Sequence, residues 1–167
     1  DYCSPGLPGG TWYLRRVVLG NACQSISNVV MLHVYDEFLP GNIEPDYQEI
    51  CYNTVPACLN FGVTPSGGDG SYTYQWYESY DGSTFTAIPG VTNPQNCPPA
   101  LIADHWYYCE VTNLCGVLNT DTAYVEVWDP FVPGVIGDDQ SICYNTVPNQ
   151  LCFITLPIGG QPGVYSY

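Results

Sequence analysis

The sequence predicts an all-β chain built of two-sheet sandwiches, and three observations carry this. Side chains alternate with a period of two in short runs: Tyr72, Tyr74 and Trp76 against Thr73, Gln75 and Tyr77, and Trp106, Tyr108 and Glu110 against Tyr107, Cys109 and Val111. Turn signals separate the runs at Ser66-Gly67-Gly68-Asp69-Gly70, Asp81-Gly82 and Pro89-Gly90, and no stretch carries a convincing helical stripe. The heptapeptide Ile50-Cys51-Tyr52-Asn53-Thr54-Val55-Pro56 returns letter for letter as Ile142-Cys143-Tyr144-Asn145-Thr146-Val147-Pro148.

That identity belongs to a longer repeat. Cys3, Pro5, Leu7, Trp12 and Tyr13 map onto Cys97, Pro99, Leu101, Trp106 and Tyr107. Val34, Asp36, Phe38, Pro40, Gly41 and Ile43 map onto Val127, Asp129, Phe131, Pro133, Gly134 and Ile136, a shift of 93. The expected organisation is the C-terminal part of a repeat over 1–40, a complete repeat over 41–133 and the N-terminal part of the next over 134–167. This reads as a window onto a longer tandem array. The alternative is that partial repeats complete one another between chains.

Within 41–133 the expected strands are A (43–51), B (57–64), C (71–79), C′ (83–88), E (91–98), F (105–112) and G (122–128). Pro56 closes the A–B turn. C and F carry the alternation above, with Trp76 as the core tryptophan. C′ follows Asp81-Gly82, where glycine takes a positive φ without a Cβ clash. E follows Pro89-Gly90. G alternates Ala123, Val125 and Val127 with Tyr124, Glu126 and Trp128. About seven strands in about 93 residues make a sandwich of immunoglobulin type.

Charge and composition narrow the function. The chain has 16 acidic residues, two arginines (Arg15 and Arg16) and a net charge of −14. Such a surface repels nucleic-acid phosphates and anionic membranes, so neither is expected as a partner. No apolar run approaches the roughly 20 residues of a membrane helix, and no signal peptide is visible. An enzyme is not expected either. There is no G-x-S-x-G, HExxH or P-loop, and His33 and His105 occupy unrelated repeat positions.

The nine cysteines show no CxxC pair, so disulfides in an oxidising compartment are the reading. Cys3 and Cys97 share one repeat position, Cys23 and Cys115 a second, Cys51 and Cys143 a third. Cys58 and Cys152 lie two residues out of alignment. One scheme joins Cys51 to Cys115 and Cys58 to Cys97, leaving Cys109 free or paired elsewhere. The rival joins Cys58 to Cys109 across the sheets under Trp76.

Several stretches carry a family resemblance: Asp-Gln-Ser-Ile-Cys-Tyr-Asn-Thr (139–146), Gly-Gly-Asp-Gly-Ser-Tyr-Thr-Tyr-Gln-Trp (67–76), Asp-Gly-Ser-Thr-Phe-Thr-Ala-Ile-Pro-Gly (81–90) and Trp-Tyr-Leu-Arg-Arg-Val-Val (12–18). The chain resembles the tandem Ig-like/PKD-like repeats of giant surface adhesins and filament proteins from gliding, type IX-secreting Bacteroidetes-type bacteria. The resemblance implies an extracellular, cell-surface stalk or fibre. Its partners would be neighbouring repeats of the same chain or identical chains, with surface glycans or proteins as further targets. Tyr107, two residues before Cys109, resembles the tyrosine corner of immunoglobulin folds. The complete repeat departs from the pattern at Tyr108-Cys109, where the preceding repeat has Leu14-Arg15, and this leaves the disulfide scheme open.

Three further site readings follow. The linkers Asp36-Glu37-Phe38-Leu39-Pro40-Gly41 and Asp129-Pro130-Phe131-Val132-Pro133-Gly134 are short and stiffened by proline. Asp36, Glu37, Asp129, Asp138 and Asp139 gather there as calcium-ligand candidates; the alternative is plain solvation. Tyr77, Tyr80, Tyr124 and Trp128 alternate outward and could stack on sugars or on another chain. Asp121-Thr122-Ala123 resembles a short bacterial O-glycosylation site at Thr122.

Overall fold

The computed structural model describes residues 6–21, 23–137, 139–163 and 165–166. The chain is all-β, and the described residues contain no helix. The strands are β1 (Gly10–Leu14), β2 (Val17–Leu19), β3 (Gln24–Ile26), β4 (Val30–Val34), β5 (Asp36–Leu39), β6 (Asn42–Glu44), β7 (Tyr47–Ile50) and β8 (Asn60–Val63). They continue as β9 (Ser66–Gly68), β10 (Thr73–Ser79), β11 (Thr86–Ala87), β12 (His105–Asn113), β13 (Gly116–Asn119), β14 (Ala123–Val127), β15 (Val135–Ile136) and β16 (Phe153–Thr155).

The main body lies between residues 38 and 128 and has two layers. One is a sheet in the order β11-β10-β12-β14-β7, with β13 hairpinned onto the far end of β12. The other holds the β6–β8 pair, extended by the Leu59–Asn96 bridge. Strand A is therefore divided. Its first half pairs antiparallel with β8, and its second half crosses to pair parallel with β14, Tyr47 opposite Tyr124 and Ile50 opposite Val127. Pro45 stands at the break, where its missing N–H cannot continue a ladder. Strand E shrinks to the single bridge at Asn96, and C′ to two residues.

The core fills the space between the layers. Ile43 and Leu59 from one side meet Trp76, Tyr107, Cys109, Val111 and Val125 from the other, all essentially inaccessible. β12 reads buried and half-buried in strict alternation from His105 to Val111, the pattern of a strand packed on one face. The Trp76 indole N–H donates to Asn93 O at 2.9 Å, which satisfies the one polar atom of that ring. Tyr107 packs in this core and stacks on His105, with ring centroids 5.8 Å apart.

Outside the main body, short pieces repeat its local geometry. Ile43 pairs with Phe61, and Ile136 pairs with Phe153. Val111 pairs with Leu118 in the β12–β13 hairpin, and Val17 with Ile26 in the β2–β3 hairpin. Asn53 and Asn145 both take a left-handed conformation, with φ of 56° and 61°, which asparagine tolerates better than most residues. After each, a threonine hydroxyl donates back to a cysteine carbonyl at 2.7 Å, Thr54 to Cys51 and Thr146 to Cys143.

A disulfide joins Cys58 to Cys97, 39 residues apart, and ties strand B to strand E where the ladder between them is a single bridge. A crosslink of this span restricts the unfolded chain by about 2–4 kcal/mol. Replacing Cys97 with Ser is therefore expected to lower the unfolding free energy by about that amount. Urea denaturation of both proteins without reductant measures it, and equal midpoints would contradict the role given to this bond.

Candidate functional site

The outer face of the large sheet is the most distinctive surface of the main body. Because β12 buries alternate residues from His105 to Val111, the residues between them are forced to one outer face. On it stand Tyr77 from β10, Trp106 and Tyr108 from β12, Tyr124 from β14 and Tyr47 from β7. Tyr77 stacks on Tyr108 at 4.9 Å between centroids, and Phe85 meets Tyr108 at the same distance. Trp106 stacks on Tyr124 at 4.6 Å, and Tyr47 leans on Tyr124 at 5.8 Å.

The Asp81–Gly82 turn closes against the same indole. A Cβ on Gly82 would sit 3.2 Å from Trp106 Cε2, and its φ is +69°, so this position favours glycine on two counts. The Asp81 carboxylate accepts from the Thr84 and Ser83 backbone N–H groups at 2.7 and 2.8 Å and from the Ser79 hydroxyl at 2.8 Å. These bonds hold it well below the usual carboxylate range.

Carboxylates border the aromatic rings. Tyr124 donates to Asp104 Oδ2 at 2.8 Å, while Asp104 Oδ1 accepts from the Val127 N–H at 2.8 Å. Burial, reinforced by that carboxylate, pushes the Tyr124 phenol up to about 12. The Tyr47 hydroxyl lies between Glu126 and Glu49, and hydrogen bonding to both raises its pKa. Tyr47 and Glu49 belong to β7 and Glu126 to β14, so the group fastens the parallel pair. Its signal in the sequence is the Tyr-x-Glu spacing on β7 set against Glu126. Reading strand A as one continuous strand hid it.

The described cysteines differ in place. Cys58 and Cys97 form the disulfide. Cys109 is a buried free thiol beside Trp76 in the β10–β12 register, so the Cys58–Cys109 bridge does not form. Burial pushes its thiol up to about 12. Cys51 and Cys143 are exposed just ahead of the two asparagine turns, and Cys23 and Cys115 are exposed in the two hairpin turns. Cys152 is an exposed free thiol, and Cys3 lies outside the described residues.

The expected Cys51–Cys115 bond is corrected by topology. Cys51 follows Ile50, which pairs with Val127 beyond the end of β14 that meets His105. Cys115 lies past Asn113, at the opposite end of β12. That strand has nine residues, and at about 3.3 Å each it holds the two ends roughly 25–30 Å apart. Disulfides need Cα atoms within about 7 Å.

The linker acids do not converge. Asp36 and Glu37 lie in β5 and Asp129 precedes Phe131, but among the described residues no three His, Cys, Asp or Glu side chains are placed to hold a metal ion. Asp138 lies outside the described residues, and Asp139 is exposed. Phe38 is buried and stacks on Tyr72, whereas Trp128 is half-buried beside the exit linker. Thr122 is exposed in the loop before β14. His105 is buried, with Nδ1 2.8 Å from Ala103 O, and His33 is on the separate β1–β4 pair against Thr11.

Residues 40–129 match the model of a family described as a domain of unknown function, DUF8696, and the chain belongs to that family. No curated protein and no solved structure matches the chain.

The thiols give a direct test of these placements. When the folded protein is first treated with a mild reductant and then with iodoacetamide at pH 8, Cys51 and Cys115 are expected to be alkylated, and Cys109 only after unfolding. Peptide mass mapping reads the order. Rapid native labelling of Cys109 would contradict its place in the core.

Proposed function

We propose that this chain is a structural segment of a large secreted cell-surface adhesin or extracellular filament, in which tandem immunoglobulin-like sandwiches form a stalk or fibre. The single observation that carries the proposal is the return of both sequence and local geometry at a spacing of about 93 residues. Tyr72 donates to Gly67 O at 2.6 Å, and Tyr165 to Gly159 O at 2.9 Å. Phe38 stacks on Tyr72 at 6.0 Å, and Phe131 on Tyr165 at 5.9 Å. The Gln48 amide brackets the Ala57 peptide at 2.7 and 3.2 Å, and the Gln140 amide brackets Asn149 at 2.6 and 3.0 Å. Gly41 and Gly134 share a φ of 80°.

The strand order supports the immunoglobulin-like reading. A, B and E lie on one side, and C′, C, F, G and the crossed-over half of A lie on the other, an arrangement built on the B–E and C–F–G pairings of that fold. The family match over 40–129 sits within one unit of the spacing. A disulfide between strands suits an oxidising, extracellular setting, and a charge of −14 keeps long arrays soluble.

The outer-face aromatics fit a structural role. Trp106 packs against Tyr124 and Gly82, and Tyr108 against Tyr77 and Phe85. Rings packed on one another leave less free face for a sugar. A recognition role through exposed aromatics draws mainly on Tyr80, which is 67% exposed beside the Asp81–Gly82 turn.

The test is the native protein on and off the cell. Protease treatment of intact cells is expected to remove it, and negative-stain electron microscopy of the purified protein is expected to show slender, evenly segmented rods. A protease-protected or compact single particle would overturn the proposal.

A further inference from the structure

We infer that Cys51 forms a disulfide with the hairpin cysteine of the repeat that follows it, the counterpart there of Cys115. The inference rests on the tandem-array reading above. It assigns the two exposed cysteines of each repeat to a staple between neighbours.

The positions of the two thiols come first. Cys51 and Cys115 stand at opposite ends of β12. Neither can reach the other, yet each is exposed, and each recurs, Cys51 at Cys143 and Cys115 at Cys23. One position therefore lies at the end where the chain leaves a sandwich, and the other at the end where it enters. The Trp128 N–H donates to Ile50 O at 3.0 Å, which places Cys51 beside the exit linker.

The surroundings of Cys51 come second. It lines a groove of about 860 Å³ together with Trp128, Phe131, Phe153, Gly160 and Tyr165. The equivalent place one repeat earlier shows what closes such a groove. Phe38, the counterpart of Phe131, is 9% exposed where Phe131 is 58% exposed. Gly68, the counterpart of Gly160, lies so close to the Asn113 amide that a Cβ would overlap it. Asn113 Oδ1 in turn accepts the Cys115 N–H at 2.8 Å. The β12–β13 hairpin thus seats on the Gly67–Gly68 strand and brings Cys115 with it. The same seating at Gly160 would carry the next repeat's hairpin cysteine to the groove that Cys51 lines. By the same geometry, Cys115 meets the turn cysteine of the repeat before it.

The chemistry balances by thiol–disulfide exchange. One thiolate attacks a disulfide of an oxidoreductase or of a small-molecule carrier and releases one thiol. The second protein thiol then attacks the mixed disulfide and releases the other. Two protein thiols lose two electrons and two protons, and one carrier disulfide becomes two thiols.

Two experiments test this. The native protein is alkylated before unfolding, digested without reductant and mapped by mass spectrometry. The Cys51 peptide is expected to be joined to the hairpin peptide of the following repeat. Alkylated Cys51, or Cys51 joined to Cys115 of its own repeat, would overturn the inference. In the second experiment, residues 1–167 are continued by a second copy of residues 75–133 and held in a glutathione redox buffer. The expected bond runs from Cys51 to Cys115 of the added copy, and Cys51→Ser leaves that second thiol open to alkylation. A folded extension with both thiols free would overturn the staple alone. An extension that gains no protected amides would overturn the array reading, and the staple with it.

Discussion

The division of strand A at Pro45 is the constraint on which the other features depend. A strand held entirely in one sheet would leave the free edge of β14 open or leave β8 without a partner. The break lets the residues on its two sides serve different sheets, β6 against β8 and β7 against β14. The two layers are thereby joined by the backbone itself, and the Trp76–Tyr107–Cys109 core is enclosed between them. The parallel β7–β14 pair also fixes polarity. It brings the end of strand A and the end of strand G to the same place, so Cys51 and Trp128 leave the sandwich together.

Fastening of that pair relies on polar groups at the surface. Tyr47 with Glu49 and Glu126, and Tyr124 with Asp104, tie β7, β14 and the loop before β12. The aromatic rings beneath these groups cover the outer side of the sheet that the core covers from within. Aromatic pairs across strands contribute up to about 1 kcal/mol each, so a sheet without a second covering layer is stiffened on both faces. In the stalk proposed above, such a sheet would shield the hydrogen bonds between strands from water.

β12 was legible in the sequence because its burial alternates without interruption from His105 to Val111. Trp76 and the β12 residues from His105 to Val111 occupy the faces that the period of two assigns to them. The Cys58–Cys97 pairing was one of two readings the repeat positions allowed, and the sequence could not choose between them. What stayed hidden has physical causes. Strand A looked continuous because its apolar residues are few, yet Ile43 and Ile50, which both face the core, lie an odd number of residues apart, so the phase changes at Pro45, where the missing N–H ends the first ladder. Strand E looked like a full strand, yet it keeps one bridge, since the disulfide beside Asn96 does part of the ladder's work. The Cys51–Cys115 expectation came from recurrence, which reports that two positions matter and says nothing about the strand length between them.

Whether this fold is one unit of a regular mechanical array, as proposed, is tested most directly by force extension of the native protein. In reductant, each unit of about 93 residues should release roughly 30 nm of chain as it unfolds, at about 3.3–3.6 Å per residue less its folded length. A series of evenly spaced force peaks at that interval is expected. A single release, or peaks with no common spacing, would contradict the proposal.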